Sequence, residues 1–442
     1  MTATPSRTSA PDVPLDPRSK QALADRGLEY RIVPIDGDEL DGYRNAVGRG
    51  FLGERSTPEV AQGWRDSLGG SRLVGVHDPQ GAEPGVPVGT VNAWVMDVTV
   101  DADSFLPMWS ISAVTVSSTH RRRGIARALL EGELRAAHEA GVPIAGLTVS
   151  EATIYGRYGF GVAAHTASWN IDARRAGWIG PRPDGRLDHI EREALQRDLD
   201  TLNAATRGSR PGDIEGWSRL WVELAGLTPG KPDPKVRAVR YTDAQGEMRG
   251  VLAYTVSENE ADFTRSTLHV VAALADGTDA YAALWRYVLE HDLIGTVTTS
   301  LRALDEPLRW MIADQRALTV TERDHHWLRI LDVARCLQAR RYRVPGSVTF
   351  SVSDALGMAE GTWRLEVDAA GSGVVEKVDG AGSAGADDQV SLGISELSSL
   401  LLGGVTASTL LAAGRIEASP GTARWLDLAF APVSAPVLSY WY

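Results

Sequence analysis

The sequence contains one cysteine among 442 residues, and it has no excess of positive charge. The single thiol, Cys336, excludes an intramolecular disulfide framework and a cysteine-based zinc cluster, and it is predicted to be a buried structural residue. This cysteine usage and the lack of an apolar run near the N-terminus predict a cytoplasmic protein without a secretory signal. The formal net charge of −12 argues against a nucleic-acid partner, because such a partner requires a basic surface.

The sequence also shows no clear metal-binding motif and no clear membrane span. None of the nine histidines forms a convincing site. The pair His325-His326 lacks a third ligand at metal spacing, so it is predicted to be solvated and no metal is expected. The uncharged stretch from Leu397 to Gly414 is long enough to cross a membrane, but glycines and hydroxyl residues interrupt it. It is predicted to form two short buried helices, and no membrane span is expected.

The length predicts two or three domains, because single hydrophobic cores stop growing near about 250–300 residues. Residues 1–26 are rich in Pro, Ser and Asp and are predicted to be a flexible tail. Alternating strand and helix patterns then predict an α/β unit over 27–180. A similar order restarts over 181–335, without a glycine-bearing basic loop before its last helix. A duplicated fold explains this, although a chance similarity of two α/β units is also open. Residues 336–442 form a last domain.

The most informative segment is a strand that runs through a basic loop into a helix, Val114–Ala126. Helix N-termini present unpaired N–H groups and the positive end of the helix dipole, which together stabilise an anion. Gly124 allows close approach of the backbone, and Ala126 keeps the next turn small. The positive charges of the loop arginines interact unfavourably with the positive end of the helix dipole, and a bound anion would compensate for this cost. A pyrophosphate site is therefore predicted in preference to a solvated arginine run, and a Walker loop is excluded because its pattern is missing.

This segment, with the pattern Arg-x-x-Gly-x-Ala, resembles the acyl-CoA signature of the GNAT superfamily of N-acetyltransferases. Thr119–Gly124 and Ile154–Arg157, at this spacing, resemble the enhanced intracellular survival (Eis) family of actinobacterial acetyltransferases. Ser395–Gly404 with Gly414–Glu417 resembles a sterol carrier protein. The resemblance implies an α+β fold with two tandem GNAT-like α/β units, the second degenerate, and a C-terminal sterol-carrier-like α/β domain.

The resemblance also implies roles for individual residues. Val114, Thr115 and Val116 are implied to pair with the pantetheine amides. The pyrophosphate contacts are assigned to Arg122, Arg123, Gly124, Ile125, Ala126 and Arg127. Ser150 and Glu151 are implied to line the thioester end of the site. Tyr155 is implied as the general acid, because a phenol with a pKa near 10 can protonate a departing thiolate. The carboxylate of Tyr442 is implied as the general base, although an α-carboxyl with a pKa near 3.5 needs burial or a bridging water for this role. The alternatives are that Tyr155 only packs and that the terminus only docks.

The expected function is that of an acetyl-CoA-dependent N-acetyltransferase. The resemblance implies direct attack of a primary amine in a ternary complex, with aminoglycosides, polyamines or protein lysine as cationic substrates, and it implies a homohexamer. A non-catalytic acyl-CoA-binding or lipid-binding protein is the alternative. The sequence departs from the family pattern by a longer N-terminal segment and by Ala152-Thr153 where Gly-Gly is common. These departures concern the shape of the substrate pocket.

Overall fold

The structure, a computed structural model, describes residues 8–37, 39–54, 57–65, 68–378 and 388–442. They divide into two compact units. Unit 1 comprises Met1–Ala164, His325–Val433 and Trp441–Tyr442, and unit 2 comprises His165–Asp324 and Ser434–Tyr440. Unit 1 therefore contains most of the first and last predicted domains, and unit 2 contains most of the middle one.

The first part of unit 1 is an α/β layer built on a mostly antiparallel sheet. Its strands are β1 (Glu29–Ile32), β2 (Arg72–His77), β3 (Gly89–Asp101), β4 (Ser104–Val116) and β5 (Ile144–Thr148). Its helices are α1 (Pro17–Ala24), α2 (Glu39–Gly50), α3 (Pro58–Arg65), α4 (Ile125–Glu139) and α5 (Ala152–Tyr155). Two longer strands, β6 (Gly161–Asp172) and β12 (Leu318–Ile330), run across the boundaries between the units.

The predicted order of strand, basic loop, helix and strand is confirmed by β4, α4 and β5. β4 and β5 pair in parallel, and α4 connects them. α4 repeats apolar residues at helical spacing, and Leu129, Leu130 and Leu134 are fully buried in the same core cluster as Trp109 and Ile111 of β4. The second half of β12 pairs antiparallel with β5, from Ile330 opposite Ile144 to His326 opposite Thr148.

The N-terminal segment, residues 8–26, is packed on this layer, so the prediction of a flexible tail over residues 1–26 is wrong for it. Asp16 caps α1 by accepting a hydrogen bond from the third residue of the helix, and Arg135 of α4 lies 3.0 Å from its carboxylate. Leu23 is completely buried in the core. The segment has one short apolar helix face, too short to give a periodic signal, and its packing against α4 determines its order.

Unit 2 repeats the motif of a parallel strand pair joined by a helix. Its remaining elements are α6 (Ala173–Ala176), β7 (Arg186–Ile190), α7 (Arg192–Thr206), α8 (Ser218–Leu224), β8 (Arg237–Thr242), β9 (Met248–Ser257), β10 (Ser266–Ala275), α9 (Thr278–Leu289) and β11 (Ile294–Arg302). The strand order is β6-β11-β10-β9-β8-β7, and β10 and β11 pair in parallel. The turn before α9 carries Asp276 and the first helical turn carries Asp279. These carboxylates complement the helix dipole, and their negative charge disfavours an anion at this helix start.

The last part of unit 1 is a five-stranded sheet with the order β15-β14-β13-β16-β17. Its elements are α10 (Val333–Gln338), β13 (Gly346–Ser353), β14 (Gly361–Val367), β15 (Gly373–Val378), β16 (Gln389–Gly393), α11 (Ile394–Leu400), α12 (Ala407–Ala412), β17 (Ile416–Ala418) and α13 (Pro420–Ala429). The two predicted short helices are α11, which is buried, and α12, which is half-buried. No helix in the described part of the chain has both the length and the apolarity for crossing a membrane. Cys336 is buried, as predicted.

Candidate active site

β4 and β5 separate where the predicted acyl-CoA site begins. Their parallel pairing runs from Met108 opposite Ile144 to Ile111 opposite Leu147, whereas β4 itself continues to Val116. The separation begins at a bulge, because the register between β3 and β4 shifts there and Ala113 has a φ of 51°. An extra residue at a bulge bends its strand away from a neighbour. The backbone of the last three residues of β4 is therefore outside the pairing with β5.

The Thr90 side chain on β3 fixes the bulge. The Thr90 hydroxyl donates to the carbonyl oxygen of Ala113 at 2.8 Å, and its oxygen lies 2.6 Å from the Thr115 hydroxyl. Thr115 is buried, while Val114 and Val116 are partly buried against the core. Helix α2 packs closely here, since a Cβ at Gly50 would lie 2.5 Å from the Thr115 side chain. Contacts with Thr90 and α2 therefore fix the position of the strand end that carries the three predicted pantetheine-pairing residues.

The loop after β4 leads directly into the N-terminus of α4. Arg122 and Gly124 both have left-handed backbones, with φ values of 63° and 75°, and Gly124 precedes the first helical residue. No side chain of the described residues caps this helix start. The Ile125 side chain is buried, so this residue can offer a ligand only its backbone. Arg127 points into solvent and pairs with Glu131 at 3.7 Å.

Two residues that sequence reasoning missed contact this loop. Asp78 lies 2.9 Å from His120 Nε2 and 3.5 Å from the Arg123 guanidinium. The hydrogen bonds from His120 and from a backbone N–H hold the pKa of Asp78 below its usual value. Arg26, the last residue of the N-terminal segment, donates to the carbonyl oxygen of Arg123, and Arg123 donates to the carbonyl of Arg26 at 3.3 Å. A side chain at Gly124 would collide with the Arg26 guanidinium.

Tyr155 lies at the end of α5, just beyond the end of β5. Ser150 and Glu151, which precede the helix, are exposed, and Glu151 occupies its N-cap position. The Tyr155 side chain is buried, and its ring stands edge-on to Phe160 at a centroid distance of 6.2 Å. Burial, and then the charge of Glu151, raises the pKa of Tyr155 above its ordinary value of 10. The phenol is therefore protonated at neutral pH and available as a proton donor.

Tyr442 contacts the end of β5. The Thr148 hydroxyl donates to its main-chain oxygen at 3.0 Å, and its ring stands edge-on to Trp94 at 5.7 Å. Its hydroxyl lies 2.9 Å from His326 Nε2, and His325 stacks edge-on against Trp441 at 4.4 Å. Both histidines are buried, so the prediction of a solvated pair is wrong. β12, which carries them, begins with an exposed polar half that hides its strand pattern in the sequence.

The predicted site residues therefore lie around the end of β5. Thr148, its last residue, contacts Tyr442, and the next residues along the chain are Ser150 and Glu151, followed by α5 with Tyr155. β4 diverges from this same strand. The arrangement offers a gap between two strands, a helix N-terminus, a buried phenol and a main-chain carboxyl oxygen.

Comparisons with known proteins agree with this geometry. A model of an acetyltransferase (GNAT) domain matches residues 31–163, a second GNAT model matches residues 214–330, and a sterol carrier protein domain matches residues 333–439. An uncharacterized N-acetyltransferase of Streptomyces avermitilis is 33% identical over 407 residues, which is 90% of this chain and 94% of that protein. N-acetyltransferase Eis of Mycobacterium tuberculosis is 31% identical over 388 residues, 85% of this chain and 90% of that protein. The crystal structure of Eis1 from Mycobacterium abscessus has a TM-score of 0.79 at 26% identity, covering 94% of this chain and all of that one.

The split strands, the open helix start and these matches define an N-acetyltransferase of the GNAT superfamily. The fold prediction of two GNAT units and a sterol-carrier-like domain is confirmed. Within the superfamily, the chain belongs to the Eis family. The membership favours the enzyme over the non-catalytic binding protein.

Proposed function

We propose that the protein transfers an acetyl group from acetyl-CoA to the primary amine of a cationic substrate by direct attack in a ternary complex. The observation that carries the proposal is the separation of β4 from β5 directly before the N-terminus of α4, which no side chain in the described ranges caps. A strand edge of this kind can pair with the amides of pantetheine, and a helix N-terminus can hold the diphosphate of coenzyme A. The GNAT domain match supports acetyl-CoA as the co-substrate.

The residues present suit a diphosphate. At Gly124 the Arg26 guanidinium occupies the space of a side chain, Ile125 turns its side chain into the core, and the neighbouring N–H groups start the helix without a side-chain cap among the described residues. Arg122 is exposed at the loop, while Arg123 is shared with Asp78. The residues Val114, Thr115 and Val116 would pair with pantetheine, and Ser150 and Glu151 would line the thioester end.

In the proposed reaction the amine nitrogen attacks the thioester carbonyl carbon, and the C–S bond then breaks. Attack by the neutral amine leaves the nitrogen positively charged; the carboxylate of Tyr442 takes the proton that this nitrogen releases, directly or through water, and Tyr155 gives its proton to the departing thiolate. Backbone N–H groups of Val114–Val116 polarise the carbonyl. The hydrogen bond from Thr148 to a main-chain oxygen of Tyr442 orients the base.

The substrate class proposed is an aminoglycoside, a polyamine or a protein lysine. A net charge of −12 attracts such cations, with an effect that salt screens beyond about 8 Å. The homohexamer that the resemblance implies stays a prediction.

The proposal is tested by a thiol-release assay with acetyl-CoA against aminoglycosides, polyamines and lysine peptides. We expect turnover with at least one polycationic amine and none with the corresponding alcohols. Product mass should increase by one acetyl group for each thiol released. Hydrolysis of acetyl-CoA at the same rate with and without amine would contradict an N-acetyltransferase that acts on these substrates.

A second prediction concerns Arg26. Its guanidinium contacts the carbonyl of Arg123 beside Gly124, so it adds positive charge where the diphosphate is proposed to bind. We expect Arg26→Ala to raise the KM for acetyl-CoA up to about fivefold, because an exposed charge pair contributes about 0.2–1 kcal/mol. The value of kcat should be unchanged. The measurement is steady-state kinetics at varied acetyl-CoA.

The matched control for this prediction is Arg18→Ala, which removes an exposed arginine from α1 of the same segment. It should leave the KM unchanged. A small thioester that lacks phosphates, S-acetyl-N-acetylcysteamine, should react equally with the wild-type and Arg26→Ala proteins. Equal losses with both thioesters would show that Arg26 supports the fold and not the diphosphate.

A further inference from the structure

The last residue is held at both of its ends. Its main-chain oxygen accepts a hydrogen bond from Thr148 at 3.0 Å, and its phenol oxygen lies 2.9 Å from Nε2 of His326. His326 is completely buried. Between these two contacts, the ring of Tyr442 stands edge-on to Trp94 at 5.7 Å and to His326 at 5.8 Å.

The surroundings leave room for the hydroxyl as well as for the ring. A Cβ at Gly146 of β5 would lie 2.9 Å from the Tyr442 phenol oxygen and 3.1 Å from His326 Nε2, so the glycine provides the space in which these two groups meet. Burial raises the pKa of the Tyr442 phenol, which therefore keeps its proton and can take part in the hydrogen bond. A hydroxyl in a buried position costs free energy unless it has a polar partner, and His326 supplies one.

We infer that His326 is a positioning residue for the reaction: it orients the terminal carboxylate by binding the phenol of the same residue. The inference rests on the proposed role of the Tyr442 carboxylate as the base. The hydrogen bond from Thr148 fixes the terminal residue at its main-chain end. A second anchor at the far end of the side chain fixes the direction in which the carboxylate faces, and a base must be oriented toward the proton it abstracts.

The first test uses the conservative variant Tyr442→Phe, which keeps the carboxylate, the ring and the contact with Thr148. We expect kcat to fall about tenfold, because one buried hydrogen bond is lost, while the KM for acetyl-CoA stays the same. His326→Leu should have a similar effect, and His326→Gln, which keeps a hydrogen-bonding group, should recover part of the rate. The double variant Tyr442→Phe/His326→Leu should be no slower than either single variant, since both changes remove the same contact.

The matched control is Tyr342→Phe. Tyr342 is a buried tyrosine whose hydroxyl donates to the carbonyl of Leu337 at 2.7 Å, so the same oxygen is removed away from the terminus. This variant should lose stability and keep its kcat. If the hydroxyl of Tyr442 has only a structural role, the two variants will behave alike, with lowered melting temperatures and unchanged kcat, and the inference is wrong.

A second measurement does not depend on activity. Carboxypeptidase A removes a terminal phenylalanine or tyrosine only after the residue leaves its binding position. We expect release of the last residue to be about tenfold faster from Tyr442→Phe than from the wild-type protein. Equal release rates from the two folded proteins would overturn the inference even if His326→Leu does not fold.

Failure of the proposed base can be separated from failure of this inference. A protein extended by one glycine after Tyr442 keeps the phenol and its contact with His326 but has no carboxylate at this residue. Retained turnover in the extended protein removes the proposed base, and the inference with it. Lost turnover in the extended protein, together with full turnover in Tyr442→Phe, overturns the inference alone.

Discussion

Extension of the protein by a single glycine beyond Tyr442 is expected to lower kcat by about 100-fold or more, because general bases contribute about 10²–10⁴-fold. The added residue converts the carboxylate of Tyr442 into a neutral amide that cannot accept a proton. The main-chain oxygen still accepts the hydrogen bond from Thr148, and the side chain keeps its contacts with Trp94 and His326. The affinity for coenzyme A, measured by calorimetry, should not change, since the proposed diphosphate site belongs to the start of α4.

The control for this variant is the same glycine added before Met1, which should leave kcat unaltered. An extended protein that acetylates at the rate of the parent would show that another group takes the proton from the amine. Loss of coenzyme A affinity together with turnover would instead show that the extension disturbs the fold, and thermal unfolding of both proteins would reveal it.

Replacement of Tyr155 by phenylalanine is the second change with a large expected effect. Removing the phenol should lower kcat about 100-fold or more, because the thiolate then has to leave without a proton from the enzyme. The ring and its edge-on contact with Phe160 are preserved, so the fold should be unaffected. The matched control is Tyr158→Phe in the turn that follows α5, which should retain its rate. Comparable losses in the two variants would support the alternative that Tyr155 is a packing residue.

The pH dependence of the same step follows from the environment of Tyr155. Burial and the charge of Glu151 raise the pKa of the phenol above 10, so deprotonation of Tyr155 should not reduce kcat below about pH 10. Removing the negative charge in Glu151→Gln lowers the pKa of the phenol, so any alkaline decrease in kcat should move to lower pH. A shift of this decrease to higher pH would contradict the assignment of Tyr155 as the acid.

The prediction of secondary structure was most accurate where the pattern is local and regular. α4 repeats its apolar residues at helical spacing and the second half of β4 is a β-branched run, so α4 and the end of β4 were predicted to within one residue, whereas β4 begins five residues before the predicted Trp109. β12 was missed because its first half is polar and exposed, and only its second half is buried. α1 was missed because its order comes from packing against α4 and not from a periodic pattern of its own.

The sequence by itself determined the local structure of the loop, because Val114–Arg127 is one continuous segment in which a strand end, a glycine turn and a helix start follow one another. It also indicated Tyr155 through a neighbouring motif. Only the tertiary structure decided which distant residues meet that segment. Arg26 contacts a residue 97 positions away, and Tyr442 contacts residues 116 and 294 positions away. Such contacts depend on which strands become neighbours in the sheet, and no local pattern encodes that pairing.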